Sequence, residues 1–219
     1  LPATLDTLVL ATRNPGKVRE LRDLFASAGV DIVGIDDLRP DTPEPDEGAS
    51  SFAENATLKA RAYAAATALP CLADDSGLEV DALLGAPGVV SSHYAWDGQT
   101  TGEPASLSRV QRDARNTERL LAELDGAPPD QRAARFVCVM VLVAGDDVLA
   151  TARGTFEGRI GQPPHVPRGE HGFGYDPVFL VAPHFERTSA ELSPDEKNAH
   201  SHRGEAARQM LDHLRTLRA

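Results

Sequence analysis

Five short segments of this chain hold residues whose types and spacing suit chemistry. Thr12-Arg13-Asn14-Pro15-Gly16-Lys17 lies between an apolar run and a helical pattern. A strand-to-helix turn presents backbone N–H groups and the positive end of a helix, which together suit a phosphate. Lys17 adds a full charge, and Thr12 and Asn14 add neutral hydrogen bonds. It is not a Walker A loop: Ala11 stands where that pattern wants glycine, and Val18 where it wants Ser or Thr. A plain βα turn with a surface lysine is the alternative. Asp74-Asp75-Ser76-Gly77 sets two carboxylates side by side, able to hold a hydrated divalent cation or position a water. Side chains alternate along a strand, so one carboxylate is expected to face a cleft and the other to support it. Ser76 lacks the G-x-S-x-G elbow of a nucleophile, and D-S-G is equally a turn signature.

The third segment is the acidic loop from Asp36 to Gly48, which includes Glu47. Most of its carboxylates read as solvated surface charge, and one of them could reach a metal at Asp75. The fourth, Gly172-Phe173-Gly174-Tyr175-Asp176-Pro177, opens a stretch holding four of the eleven aromatic residues: Phe173, Tyr175, Phe179 and Phe185. A glycine-flanked aromatic can stack a base while exposed backbone groups read its edge. Core packing is the alternative, and the favoured one for Phe179. The last is Lys197-Asn198-Ala199-His200-Ser201-His202-Arg203-Gly204. His200 and His202 lack the spacing of a zinc site, and two residues apart on a helix they face different ways. Lysine, histidine and arginine together fit a polar clamp for a phosphate or nucleobase, or ordinary helix polarity.

These segments need elements to carry them. Leu5 to Thr12 reads as a strand, and Val18, Leu21, Leu24 and Phe25 recur at helical spacing up to Gly29. Asp31 to Ile35 reads as a second strand, so the order predicts a βαβ unit with a parallel pair. Ser51 and Glu54 form a capping box for an Ala-rich helix to about Ala68, closed by Pro70. Cys71-Leu72-Ala73 is a brief strand ending at the paired acids. Gly85 to Gly102 reads as loop. A long helix is expected from about Pro104 to Leu124, with Leu107, Val110, Ala114, Thr117, Leu121 and Leu124 on one face. Arg135–Ala144 and Val148–Phe156 flank Gly145-Asp146-Asp147 as an antiparallel hairpin. Pro177 to Val181 is a further strand, Ser193-Pro194 starts a helix, and the chain closes on a helix to about Leu217. The class is α/β with a mixed sheet.

Composition narrows the partners. The 219 residues carry 22 Lys and Arg against 33 Asp and Glu, a net charge of −11, which argues against general nucleic-acid or anionic-membrane binding. No apolar run approaches the ~20 residues of a membrane span. The N-terminus lacks a signal-peptide layout, and Leu1 in place of methionine reads as a trimmed start. Cys71 and Cys138 read as buried thiols of a reducing compartment, so a cytoplasmic location is expected. Of the 22 basic residues 19 are Arg, and the three lysines, Lys17, Lys59 and Lys197, are expected to mark sites wanting a compact charge and to converge.

Taken in order, Thr12–Lys17, Phe52-Ala53-Glu54-Asn55-Ala56 with Lys59-Ala60, Asp74-Asp75-Ser76-Gly77-Leu78, Gly172–Pro177 and Ser201-His202-Arg203-Gly204 resemble the motif set of the inosine/xanthosine triphosphate pyrophosphatases, the Ham type. Further similarity lies at Gly85–Gly88, Phe156–Ile160 and Ala190–Lys197. The resemblance implies an elongated mixed sheet flanked by helices, in a single domain over 1–219 with two lobes and a central cleft, usually as a homodimer. It implies magnesium-dependent hydrolysis of non-standard purine triphosphates, ITP, dITP and XTP, to monophosphate and pyrophosphate, which cleanses the nucleotide pool. Thr12, Asn14 and Lys17, within the turn that also holds Arg13, Pro15 and Gly16, would bind the triphosphate, with Lys59 directed to the metal–phosphate region. Asp75 would be the general base and a magnesium ligand, Glu47 a second ligand, and Ser76 a substrate contact. Phe173, Gly174, Tyr175, Asp176, Lys197, His202 and Arg203 would surround the purine and phosphates. A Maf-type pyrophosphatase is a nearer rival, disfavoured by the Gly-Phe-Gly-Tyr-Asp and Ser-His-Arg segments. A non-catalytic nucleotide-binding module is the rival from another class.

Overall fold

The first apolar run forms β1 (Thr7–Leu10), a turn leads into α1 (Pro15–Ala26), and β2 (Asp31–Gly34) follows. β1 and β2 pair in parallel, Thr7 opposite Asp31 and Leu10 opposite Gly34, so the expected βαβ unit forms. In the computed structural model, residues 5–26, 28–45, 48–99, 104 and 106–218 are described. The other edge of β1 pairs in parallel with β3 (Cys71–Val80), with Val9 opposite Cys71. Between β2 and β3 come the single turn α2 (Ile35–Leu38), the acidic loop and α3 (Phe52–Thr67). Ser51 caps α3 as expected, its Oγ accepting the N–H of Glu54. The helix ends where Ala68 takes a left-handed φ of 57°.

β3 corrects the sequence reading. The acids and Ser76-Gly77 were expected to end a short strand, yet they lie within a ten-residue one. Turn-forming residues remain extended here because the sheet satisfies their backbone and neighbouring side chains satisfy the carboxylates. β4 (Ala133–Ala144) and β5 (Asp147–Ile160) are neighbours joined by Gly145 and Asp146, a connection that only antiparallel strands can share. Gly145, at φ 61°, supplies the positive φ at the turn's first position. β6 (Phe179–Val181) pairs antiparallel with β5, giving a mixed sheet of order β2-β1-β3-β4-β5-β6.

Three further elements complete the scaffold: α4 (Arg109–Glu123), α5 (Pro194–His200) and α6 (His202–Arg218). Ser201 separates the last two in extended backbone, so His200 and His202 belong to different helices. Residues 88–96, expected as loop, form 3₁₀ turns.

The chain divides into two compact units. The first comprises residues 1–75, 138–154 and 202–219; the second, 76–137 and 155–201. In the first unit Leu8, Leu10, Leu21, Phe25, Leu72, Met140, Leu142, Met210 and Leu214 form the core. In the second, Leu78, Leu120, Leu124, Phe136, Phe156, Tyr175 and Phe179 do so. Phe179 is fully buried, its ring centroid 4.5 Å from that of Phe136, which bears out the core reading of this aromatic.

Candidate active site

The candidate site residues of the first unit gather around the paired acids of β3. α1 begins immediately after the Thr12–Lys17 turn, and Asn14 caps it: Asn14 Oδ1 accepts the N–H groups of Gly16 (3.0 Å) and Lys17 (3.4 Å). Thr12 Oγ1 accepts the N–H of Asn14 at 3.2 Å. The turn is thereby fixed, and Lys17, in the first turn of α1, reaches Asp74 with Nζ 2.9 Å from Oδ2. Arg203, second residue of α6, approaches the same oxygen with Nε at 3.5 Å and also pairs with Glu20 of α1.

Asp74 is wholly buried. Burial alone would raise its pKa, but Lys17, Arg203 and Lys59 outweigh it and hold the carboxyl well below the usual range. The Cys138 thiol, 3.9 Å from Asp74 Oδ2, is pushed up to about 12 by burial and then by that carboxylate. Both cysteines are free and buried, as the sequence predicts.

Asp75 takes its partners from α3. Lys59 Nζ lies 3.1 Å from Oδ1, and Asn55 Nδ2 donates to Oδ2 at 3.2 Å. Asn55 and Lys59 are four residues apart and share a helix face, so one rigid element holds both carboxylate oxygens. Asn55 had no assigned role in the sequence reading; its i,i+4 spacing to Lys59 was the available signal. Successive acids of one strand are thus held by different elements, Asp74 from α1 and α6 and Asp75 from α3, as side-chain alternation requires.

Arg13, expected at the phosphate, donates to the carbonyls of Pro40 (2.8 Å) and Thr42 and pairs with Asp36 at 3.2 Å. It fastens the acidic loop to the turn. Glu47 lies outside the described residues, and the side chain of Pro15 is likewise not described. Among the described residues no group of three His, Cys, Asp or Glu side chains is spaced to hold a metal. His202, the first residue of α6, is buried.

The second unit holds the aromatic segment. Phe173 N–H donates to Asp176 Oδ2 at 2.8 Å, and Lys197 Nζ lies 2.6 Å from the same oxygen. Gly172, at φ 78°, must be glycine: a Cβ there would sit 2.1 Å from Asp176 Oδ2. Tyr175 is buried and donates its hydroxyl to the Ser91 carbonyl at 2.8 Å, so it packs and anchors. Phe173 is half-buried, with the Arg109 guanidinium 4.7 Å and Lys197 Nζ 5.4 Å from its ring centroid. Gly174 N–H donates to Asp113 on α4 at 2.9 Å. Burial pushes the Asp113 carboxyl up, against that hydrogen bond and the nearby arginines.

Each lysine therefore closes on a buried aspartate: Lys17 on Asp74, Lys59 on Asp75, Lys197 on Asp176. Lys17 and Lys59 pair with adjacent acids of β3 in the first unit, and Lys197 pairs with Asp176 in the second; the expectation that all three share one cleft remains a proposal. No described helix is long and apolar enough to cross a membrane.

The profile of the Ham1 family matches residues 8–213. A dITP/XTP pyrophosphatase of Nitratidesulfovibrio vulgaris (strain Hildenborough) is 49% identical over 209 residues, spanning 95% of this chain and 96% of that protein. The structure of a HAM1 protein from Coxiella burnetii superposes with a TM-score of 0.79 at 39% identity, covering 96% of this chain and 98% of that one. A nucleoside-triphosphatase / dITP/XTP pyrophosphatase from Mycobacterium abscessus gives 0.67 at 37% identity, with the same two coverages, 96% and 98%.

Proposed function

The chain belongs to the Ham1 family, and from that premise we propose that it is a nucleoside triphosphate pyrophosphatase. It hydrolyses the non-standard purine triphosphates ITP, dITP and XTP at the α-phosphorus, releasing the monophosphate and pyrophosphate. The observation that carries this reading is the cation-ringed acid pair of β3, with Lys59 and Asn55 on Asp75 and Lys17 on Asp74.

Asp75 is the general base, taking the proton of the water that attacks the α-phosphorus. Lys59 and Asn55 orient its carboxylate. Asp74, fully enclosed, positions Lys17 at the turn. Thr12, Asn14, Gly16 and Lys17 receive the triphosphate, and Ser76 adds a substrate contact.

Magnesium fits the donor set: it favours oxygen, keeps several waters and binds through one or two carboxylates plus substrate phosphates, so no all-protein cage is needed. Asp75 and Glu47 would hold it, and when bound it would neutralise charge on the phosphate oxygens. The purine lies on Phe173 and Gly174, beside Asp176 and Lys197, in a segment that Tyr175 anchors through Ser91; His202 and Arg203, which open α6 in the first unit, serve the phosphates. Hypoxanthine and xanthine present an acceptor at position six, where adenine presents a donor. A donor meant for that oxygen is left unsatisfied by adenine, a cost of about 1–3 kcal/mol. The same reading has residues 1–219 act as one domain, as a homodimer in the cytoplasm.

Steady-state assays with XTP, dITP and ATP test it. We expect the first two to be strongly preferred, pyrophosphate as product, and activity abolished by removing magnesium. Asp75→Asn should lower turnover about 10²- to 10⁴-fold while nucleotide binding persists. Undiminished turnover in that variant would remove Asp75 from the role of base.

A further inference from the structure

We infer that helix α4 is the positioning element of the base platform, with Asp113 and Arg109 fixing the ring of Phe173 and thereby setting affinity for the purine. This rests on the reading of Phe173 as the surface on which the base lies.

The loop Gly172-Phe173-Gly174 has positive φ at both glycines, 78° and 63°. Glycines confer conformational freedom, so a stable ring position needs contacts from outside the loop. Two successive backbone N–H groups supply them. Phe173 N–H donates to Asp176, three residues on, a local turn bond. Gly174 N–H donates instead to Asp113 Oδ2 at 2.9 Å, 61 residues earlier in the chain. One helical turn before Asp113, Arg109 brings its Nε to 3.9 Å from the same carboxylate and lays its guanidinium over the Phe173 ring. One carboxylate thus holds the loop's backbone and steadies the cation that lies on its aromatic.

The helix bearing these residues is itself anchored. Arg109, Asp113, Asn116 and Leu120 follow helical spacing along one face. Asn116 is buried; its amide donates to the carbonyls of Ser91 (3.3 Å) and Ser92 (3.0 Å) and accepts the N–H of Ala95 (2.8 Å). The Tyr175 hydroxyl ends on that same Ser91 carbonyl. Both sides of the loop, Phe173–Gly174 and Tyr175, therefore refer to one rigid frame built on α4. Asp113 and Arg109 are positioning residues: they act through Phe173 and take no part in proton transfer.

The test is steady-state kinetics of the full chain with XTP, comparing Asp113→Ala, Asp113→Asn, Arg109→Ala and Phe173→Ala, with thermal melts to verify folding. Losing the Gly174 bond should raise KM about tenfold in Asp113→Ala while kcat stays within about twofold. Asparagine retains an acceptor oxygen, so Asp113→Asn should return KM to within about threefold of the parent. Arg109→Ala should raise KM about threefold, the loss of one cation–π contact. A folded Asp113→Ala with parental KM, beside a Phe173→Ala with raised KM, overturns the role of α4 and leaves the base platform standing. Equal impairment in Asp113→Ala and Asp113→Asn also overturns it. Parental KM in Phe173→Ala means that the platform reading fails, and this inference with it. Should Asp113→Ala not fold, Arg109→Ala decides: a raised KM supports the clamp and a parental KM overturns it.

Discussion

Asp74 shows how a single residue can be both costly and stabilising. An enclosed carboxylate is expensive to ionise, yet three cations reverse the balance and leave its pKa below the ordinary value. A folded-state pKa below the unfolded value of about 3.9 means that the ionised pair contributes stability above that pH. The contribution is lost as pH falls through the folded value. Lys17 is the strongest of the three attractions. Lys17→Met should therefore raise the Asp74 pKa and move the acid-unfolding midpoint to higher pH. At pH 7 the variant should lose about 2–3 kcal/mol, the scale of a hydrogen bond to a charged group. Acid titration followed by circular dichroism, with urea melts at pH 7, measures both; an unmoved midpoint would mean that Lys17 does not govern Asp74. Arg13 carries the opposite lesson. Its place in the phosphate-like turn was legible, but its use was not, because its partners are Asp36 and carbonyls 27 and 29 residues away.

At the scale of elements, local signals were legible and long-range ones were not. The Ser51 cap and the β4–β5 hairpin depend on residues adjacent in sequence, and both form. The buried face of α4 follows its apolar residues only toward the end, where Leu120 and Leu124 are buried and Leu121 packs on the core; earlier, Val110 is 78% exposed and the buried residue is Asn116. The reason is physical, since the 3₁₀ segment Gly88–Trp96 presents backbone groups that only a polar side chain can satisfy. Asn116→Ala should accordingly destabilise the protein by about 1–3 kcal/mol, read from urea unfolding, by leaving those groups unpaired. A change below about 0.5 kcal/mol would show that the face is held by Leu120 and its apolar neighbours instead. β3 runs past its apolar signal for a related reason. Asp-Ser-Gly is turn chemistry in isolation, and only side chains from α1, α3 and α6 make it tolerable in a strand.

For the whole molecule, the charge of −11 excludes a broad polyanion surface but says nothing against a triphosphate, which needs a few local cations. Those cations are scarce in kind: three lysines among 22 basic residues, each closing on a buried aspartate. The class and the mixed sheet were legible, and so were the segments proposed to bear the site, because each motif is short and local. The pairing of carboxylates with cations was not, because it depends on which helices the sheet brings together. The proposed reaction is water attack at the α-phosphorus with Asp75 as base. Hydrolysis of XTP in ¹⁸O-labelled water with magnesium present, with products resolved by mass spectrometry, tests it most directly. Label in the xanthosine monophosphate, unlabelled pyrophosphate, and loss of both products in Asp75→Asn are the predicted results. Label in pyrophosphate, or release of orthophosphate, would contradict the assignment.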